Sequence, residues 1–198
     1  MKKTGLTFKI MGVAVLSLVL FSCNPLEKGY ESSSFIIIEN IVGKDQEGND
    51  SSVVFSDVAK IVEGQTVFYS DFVQVTFQAA LLDPNPILGV SQFSNIMLER
   101  YVVTYTRSDG ATGEGTEVPY HFEGNLATLL EVGSSVTVPI MIVRDIAKTQ
   151  APLDALIGSA NILECVARID FYGHDLRKRA VTQTGYITVR FADYIDQK

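Results

Sequence analysis

Residues 73–81 read Val-Gln-Val-Thr-Phe-Gln-Ala-Ala-Leu. Val73, Val75, Phe77, Ala79 and Leu81 alternate with Gln74, Thr76 and Gln78. A strand sends successive side chains to opposite faces, so this stretch buries one face and wets the other. Laid on a helix, the same apolar set would scatter around the axis. Asp83-Pro84-Asn85-Pro86 closes the strand, because two prolines within three residues remove ladder donors.

The same period runs outward in both directions. Upstream, the β-branched run Phe35–Val42 is the first strand, and Gly43–Ser52 (GKDQEGNDSS) a turn region. The weaker apolar pieces Val53–Val58 and Thr66–Tyr69 follow, separated by Gly64. Downstream, Asn95–Ser108 is a strand with Met97, Tyr101, Val103 and Tyr105 on one face and Arg100, Thr104 and Thr106 on the other. Ser108–Val118 (SDGATGEGTEV) is rich in Gly and Thr and reads as a long, mobile loop. Leu126–Leu130 is a short strand, Gly133-Ser134 a turn, and Val136, Val138, Ile140 and Ile142 alternate through another strand. Pro139 cannot donate to a neighbour, which places that strand at an edge or a bulge. A short helix is expected over Thr149–Ile157, with Thr149 as cap, Pro152 in the first turn and Gly158 ending it. Two strands finish the chain, Ile162–Tyr172 and Tyr186–Tyr194. Eight or so strands with no βαβ rhythm disfavour a parallel sheet with nucleotide chemistry.

Strand number and spacing point to an antiparallel β-sandwich of immunoglobulin or fibronectin type III kind, although the chain has no Trp to supply the buried tryptophan common in such domains. The short helix, ANILECVARIDFYGHD and TGYITVRFADY together resemble the last strand pair of Ig-like domains in uncharacterised bacterial envelope lipoproteins. That resemblance covers the final third of the chain. It implies a fold and carries almost no assigned activity.

The beginning of the chain has a different character. Lys2, Lys3 and Lys9 precede an apolar run from Ile10 to Phe21, too short for a settled bilayer span and patterned as a secretory signal. Leu20-Phe21-Ser22-Cys23 resembles the lipobox of bacterial lipoproteins. That resemblance implies a signal peptide over residues 1–22, cleavage before Cys23, and diacylation and N-acylation of Cys23. The family's inner-membrane retention residue, Asp after the cysteine, is replaced by Asn24, which favours the outer membrane facing the periplasm in a two-membrane organism. Asn24–Ser34 (NPLEKGYESSS) is polar and without periodicity, so residues 23–34 form a lipidated N-terminus and flexible tether. Residues 35–198 form the single Ig-like domain.

Losing residues 1–22 removes three lysines and no acids, leaving 13 basic against 23 acidic side chains and a formal charge of −10. Such a balance argues against a nucleic-acid partner, which needs clustered cations. It also leaves membrane attachment to acyl chains, each methylene of which contributes ~0.8 kcal/mol. Cys165 has no partner once Cys23 is lipidated. Set among Leu163, Ala167, Ile169 and Phe171, it reads as a small buried hydrophobe rather than a reactive thiol.

Few residues carry chemistry. His121 and His174 are the two histidines, without a His-Glu-x-x-His or Cys-pair spacing that would hold zinc, and His174-Asp175 reads as a turn. Neither a Gly-x-Ser-x-Gly elbow nor a phosphate loop occurs, and no cofactor is implied. Asp45–Asp50 gathers oxygen ligands near Gly48 but lacks calcium-loop spacing, so a solvated hairpin tip explains it better. Arg177-Lys178-Arg179 is the one dense cationic run. It reads as protection for an edge strand, with an anionic glycan or lipid headgroup as the sharper alternative. The loop Asp83–Ser94 carries Ile87, Leu88, Val90 and Phe93, more apolar bulk than a solvent loop requires. Those residues either cover an open end of the core or form a recognition surface around Phe93. Expected partner contacts are therefore Ile87, Leu88, Phe93, Arg177, Lys178 and Arg179. The function expected is a non-catalytic binding or structural module for an envelope protein or glycan. The alternative is an envelope hydrolase or metal-dependent enzyme with a spatially assembled site.

Overall fold

The computed structural model describes residues 31–87 and 89–194. The signal run, Cys23, most of the tether and Leu88 lie outside the described residues. Eleven strands are present among the described residues: β1 (Ser34–Lys44), β2 (Asp50–Ser51), β3 (Val53–Asp57), β4 (Lys60–Val62), β5 (Gln65–Val67), β6 (Asp71–Leu81), β7 (Ile96–Arg107), β8 (Phe122–Leu130), β9 (Ser135–Val143), β10 (Leu163–Asp175) and β11 (Ala180–Ala192). The fold is all-β. One sheet has the order β2-β1-β6-β9, a second β3-β11-β10-β7-β8, and β4 pairs with β5 as a separate hairpin.

The two large sheets face one another across a shared core. The inward residues of β6, Val73, Val75, Phe77 and Ala79, are all essentially inaccessible, as the alternation requires. Phe77 meets Phe171 of β10 edge to face, with ring centroids 4.8 Å apart. Tyr101 lies against Phe171 at 6.4 Å and Tyr105 against Phe191 at 6.1 Å, so phenyl and phenol rings fill the centre. The buried Tyr105 hydroxyl donates to the Ile142 carbonyl of the opposite sheet, and burial raises its pKa. β9 is an edge strand, and Pro139 sits opposite Gln74 in its ladder.

Four expectations need correction. Pairing is not antiparallel throughout, because β3 lies parallel to β11, with Val53 opposite Thr188 and Asp57 opposite Ala192. The chain turns at Ser52, where the Ser51 hydroxyl accepts from the Val53 amide, and this delivers β3 to the second sheet. Met97 does not share a face with Tyr101. A bulge between Leu98 and Arg100 shifts the register, so Ile96 and Leu98 point inward before it and Tyr101, Val103 and Tyr105 after it. No helix forms over Thr149–Ile157. Two 3-10 turns, Asp145–Thr149 and Asp154–Leu156, flank Pro152, whose missing amide interrupts any helical ladder. Thr149 does not cap; its hydroxyl donates to the Ile146 carbonyl. Ser108–Val118 is long but internally bonded. Arg107 pairs with Asp109 at 2.6 Å, Gly115 donates to the Val118 carbonyl, and Val118 is buried in the core. Gly115 has φ of 72° and lies under the Tyr120 ring, where a Cβ would collide with the phenol.

Cys165 is fully buried, and burial pushes its thiol up to about 12, the Arg107 guanidinium lowering it only in part. Between ~8.5, the ordinary thiol value, and about 12 only the unfolded chain ionises. The native state then binds more protons, so this contribution to stability is present below ~8.5 and lost as pH rises. Cys165 in the native protein is expected to resist a thiol reagent at mildly alkaline pH and to react once urea unfolds the chain. Rapid labelling without denaturant would contradict the burial.

Candidate functional site

The strands define two ends. Ser34, Leu81, Ile96, Asp175 and Ala180 lie at one, which we term the near end because the chain enters the domain there. Lys44, Asp57, Arg107, Val143 and Ala192 lie at the other, the far end. Each end carries a cleft.

At the near end, packing begins earlier than the sequence implied. Ser32 and Ser34 are buried, and the Ser34 hydroxyl donates to the Ser94 carbonyl at 2.6 Å. The last three residues assigned to the tether thus belong to the domain. A shallow cleft of about 570 Å³ is lined by Ser33, Leu82, Asp83, Pro86, Ser94 and Arg177, among others. The sequence singled out residues on both sides of it, and the structure brings two of them together: the Arg177 guanidinium lies 5.9 Å from the Phe93 ring centroid. Ile87 is 100% exposed, Val90 62% and Phe93 58%, so the loop does not fold back over the core.

The basic run occupies the turn between β10 and β11. β10 is an interior strand, whereas β3 pairs with β11 only over Thr188–Ala192, so among the described residues the part of β11 beside the basic turn has no strand on that side. Asp175 builds the turn: its Oδ1 accepts from the Arg177 amide at 2.9 Å and the Arg179 amide at 3.0 Å. Arg177 and Lys178 project into solvent, and Lys178 has φ of 68°. The Lys178 amine reaches His174 Nε2 at 3.1 Å, and that nitrogen also contacts Glu99 at 2.9 Å.

The far end holds a larger cleft, of about 1130 Å³, that sequence reading missed. Its floor is Lys148, 1% exposed, on the 3-10 turn after β9. The Lys148 amine donates to the Asp57 carbonyl at 2.6 Å and pairs with Asp71 Oδ2 at 2.9 Å. The Ser56 hydroxyl donates to the same carboxylate oxygen at 2.6 Å. A lysine on one loop thereby clamps β3 of one sheet to β6 of the other. Ser56 is itself fully buried and its proton is committed to Asp71, so the trio is a structural clamp and not a nucleophile with a base.

Above that floor stand Phe55 and Tyr194, with centroids 5.9 Å apart, and the half-exposed Tyr69. Asp45, Glu47, Asp57, Asp71 and Asp193 supply carboxylates against Lys44, Lys60 and Lys148. Asp45 holds its own hairpin, Oδ1 accepting from the Asn49 amide at 2.8 Å and the Glu47 amide at 2.9 Å. These bonds, led by the one from Asn49, lower its pKa. Lys44 closes the hairpin against Asp50 at 2.6 Å. Flat aromatic faces beside carboxylate acceptors suit a ligand bearing hydroxyl or ammonium groups.

His121 lies elsewhere, its Nδ1 2.8 Å from Glu114 at the surface. Neither histidine lines either cleft. Among the described residues, no group of three His, Cys, Asp or Glu side chains converges to hold a metal ion. No described helix is long and apolar enough to cross a membrane.

Comparison with known proteins finds no match: no family model, no curated protein and no solved structure is similar to this chain. The fold defines the protein only as an all-β domain of two facing, mainly antiparallel sheets.

Proposed function

We propose that this chain is a lipid-anchored binding module of a bacterial cell envelope. Cys23 carries the lipid after cleavage of residues 1–22, and the two-sheet domain is an Ig-like sandwich that presents a ligand surface to an envelope protein or glycan. Outer-membrane attachment facing the periplasm follows in an organism with two membranes.

One observation supports this reading above others: the domain is polar along its strands. The segment leading from Cys23 joins at the near end, where Ser32 and Ser34 are buried, whereas the larger cleft opens at the far end between Lys44, Tyr69 and Tyr194. A protein held by its N-terminus thereby offers that cleft away from its attachment. Rigid strands position the loops, and the loops carry the variable chemistry.

The test uses two photo-crosslinking variants in living cells, one with the reactive residue in place of Tyr69 and one in place of Thr182, an exposed residue of β11 away from the cleft. The Tyr69 position is expected to give a discrete protein adduct, or the wild-type chain to sediment with isolated sacculi in a manner lost in Tyr69→Ala. Adducts of equal yield at both positions, or no adduct and no sedimentation, would overturn the reading.

A further inference from the structure

We propose that the near end of the domain docks on the bilayer itself: Leu82, Ile87, Val90 and Phe93 enter the boundary between headgroups and acyl chains, and Arg177 with Lys178 meets lipid phosphates. The proposal rests on the reading of Cys23 as the lipid anchor.

Single exposed apolar residues are ordinary on a protein surface; several in one loop beside cations are not. Leu82 is 61% exposed, Ile87 100%, Val90 62% and Phe93 58%, all within one loop, and Leu176 of the facing turn adds 38%. Such a loop gains by moving these side chains out of water, and an interface supplies the apolar layer.

Charge separates this end from a second exposed apolar group. Ile61, Val62 and Tyr69 at the far end are also exposed, but Asp45, Glu47, Asp57 and Asp193 surround that cleft, and an anionic headgroup layer would repel them. At the near end Arg177 and Lys178 face solvent beside the loop, on a turn that Asp175 fixes through two backbone bonds. Two exposed acids lie nearby, Asp83, which accepts from the Asn85 amide, and Glu99, which contacts His174, so this end lacks the excess of carboxylates that surrounds the far cleft. Arg177 over the Phe93 ring places a planar guanidinium, suited to phosphate, beside the loop's exposed aromatic side chain.

Chain length selects the bilayer over other occupants. Eight residues lie between Cys23 and Ser32, nine steps along the chain. Fully extended, they span at most ~30 Å, and any slack brings the domain closer. Ser32 and Ser34 are fixed to the same end as the loop, through Ser34 and Ser94. The apolar loop therefore sits where the anchor holds the membrane.

The chain contains no Trp, so one introduced Trp is a clean reporter. The full-length Phe93→Trp chain, purified from cells, is mixed with phosphatidylethanolamine–phosphatidylglycerol vesicles that contain brominated acyl chains. A Tyr69→Trp chain serves as the far-end control. Flotation reports vesicle attachment, and the mass of the N-terminal peptide reports lipidation. Trp at position 93 is expected to lose fluorescence to bromine while Trp at position 69 does not. Adding Ile87→Asp and Val90→Asp, both at solvent-exposed positions, should abolish the quenching and leave flotation and the thermal midpoint unchanged.

Chains that float without quenching at position 93 overturn docking and leave anchoring intact. Quenching without a lipid on Cys23 overturns the anchor and retains docking, and chains that neither float nor quench overturn both. A blue shift at position 93 that grows with protein concentration, in the absence of vesicles, assigns the surface to a second copy and overturns the proposal.

Discussion

Val75→Asp is expected to abolish folding at ambient temperature, and Val189→Asp to do the same. Both valines are fully buried, Val75 in β6 of the first sheet and Val189 in β11 of the second. Each aspartate would enter a core made of Phe77, Phe171, Phe191 and their aliphatic neighbours, where no described cation waits to pair with it. An unpaired charge there costs several kcal/mol, comparable with the ~5–15 kcal/mol that holds a whole domain together. The controls are the adjacent positions. Gln74 is exposed and Thr188 partly so, and lysine at either should change stability by only about 0.5 kcal/mol. Circular dichroism with urea titration reads both outcomes. Equal tolerance of charge on the two faces would mean that the strand register is wrong.

Lys148→Met is the second large effect. The side chain fits a similar volume, but the Asp71 carboxylate loses its ammonium partner and the Asp57 carbonyl its donor. Breaking one half of a buried pair typically costs ~3–5 kcal/mol, because the remaining charge stays in a poorly solvated place. Asp71 retains the Ser56 hydroxyl and some access to water, which puts the expected loss toward the lower figure. Combining Lys148→Met with Asp71→Leu removes the stranded charge, and the double variant should recover part of the loss. That non-additivity distinguishes a clamp from two independent packing defects. Urea midpoints that simply add would show that Lys148 and Asp71 do not act as a pair.

Much of the fold was legible because burial on one face imposes a period of two. Val73–Leu81, Val136–Ile142 and the final strand pair follow that rule, and Pro139 marks an edge strand for the reason that it lacks an amide proton. What the period does not encode was missed. Met97 looked inward because a bulge one turn of pleat later reverses the inside and outside of β7. β4 and β5 are too short to show alternation, and their turn is marked only by Glu63-Gly64, both at positive φ. The parallel placement of β3 depends on a chain reversal at Ser52, which composition cannot foretell.

The near-end surface was legible in part, since a loop with Ile87, Val90 and Phe93 is conspicuous in any sequence. That Phe93 lies under Arg177 was not, because the two are brought together by the turn after β10. The far cleft was legible only at its rim, where the Asp45–Asp50 turn stood out as a gathering of oxygen ligands. Asp71 and Lys148 are ordinary residues of a strand and a turn, distant in the chain, and only the facing of two sheets joins them.

The anchor is tested most directly by fractionating cells that express the wild-type chain or Cys23→Ala, and weighing the N-terminal peptide of each. The wild-type chain should stay with the membranes after a high-salt wash, and its N-terminal peptide should begin at Cys23 with the added mass of a diacylglyceryl group and an amide-linked acyl chain. Cys23→Ala should leave that fraction or retain residues 1–22. A wild-type chain that is soluble, or whose N-terminus begins at any residue other than a lipid-bearing Cys23, would contradict the reading of this protein as a lipid-anchored envelope module.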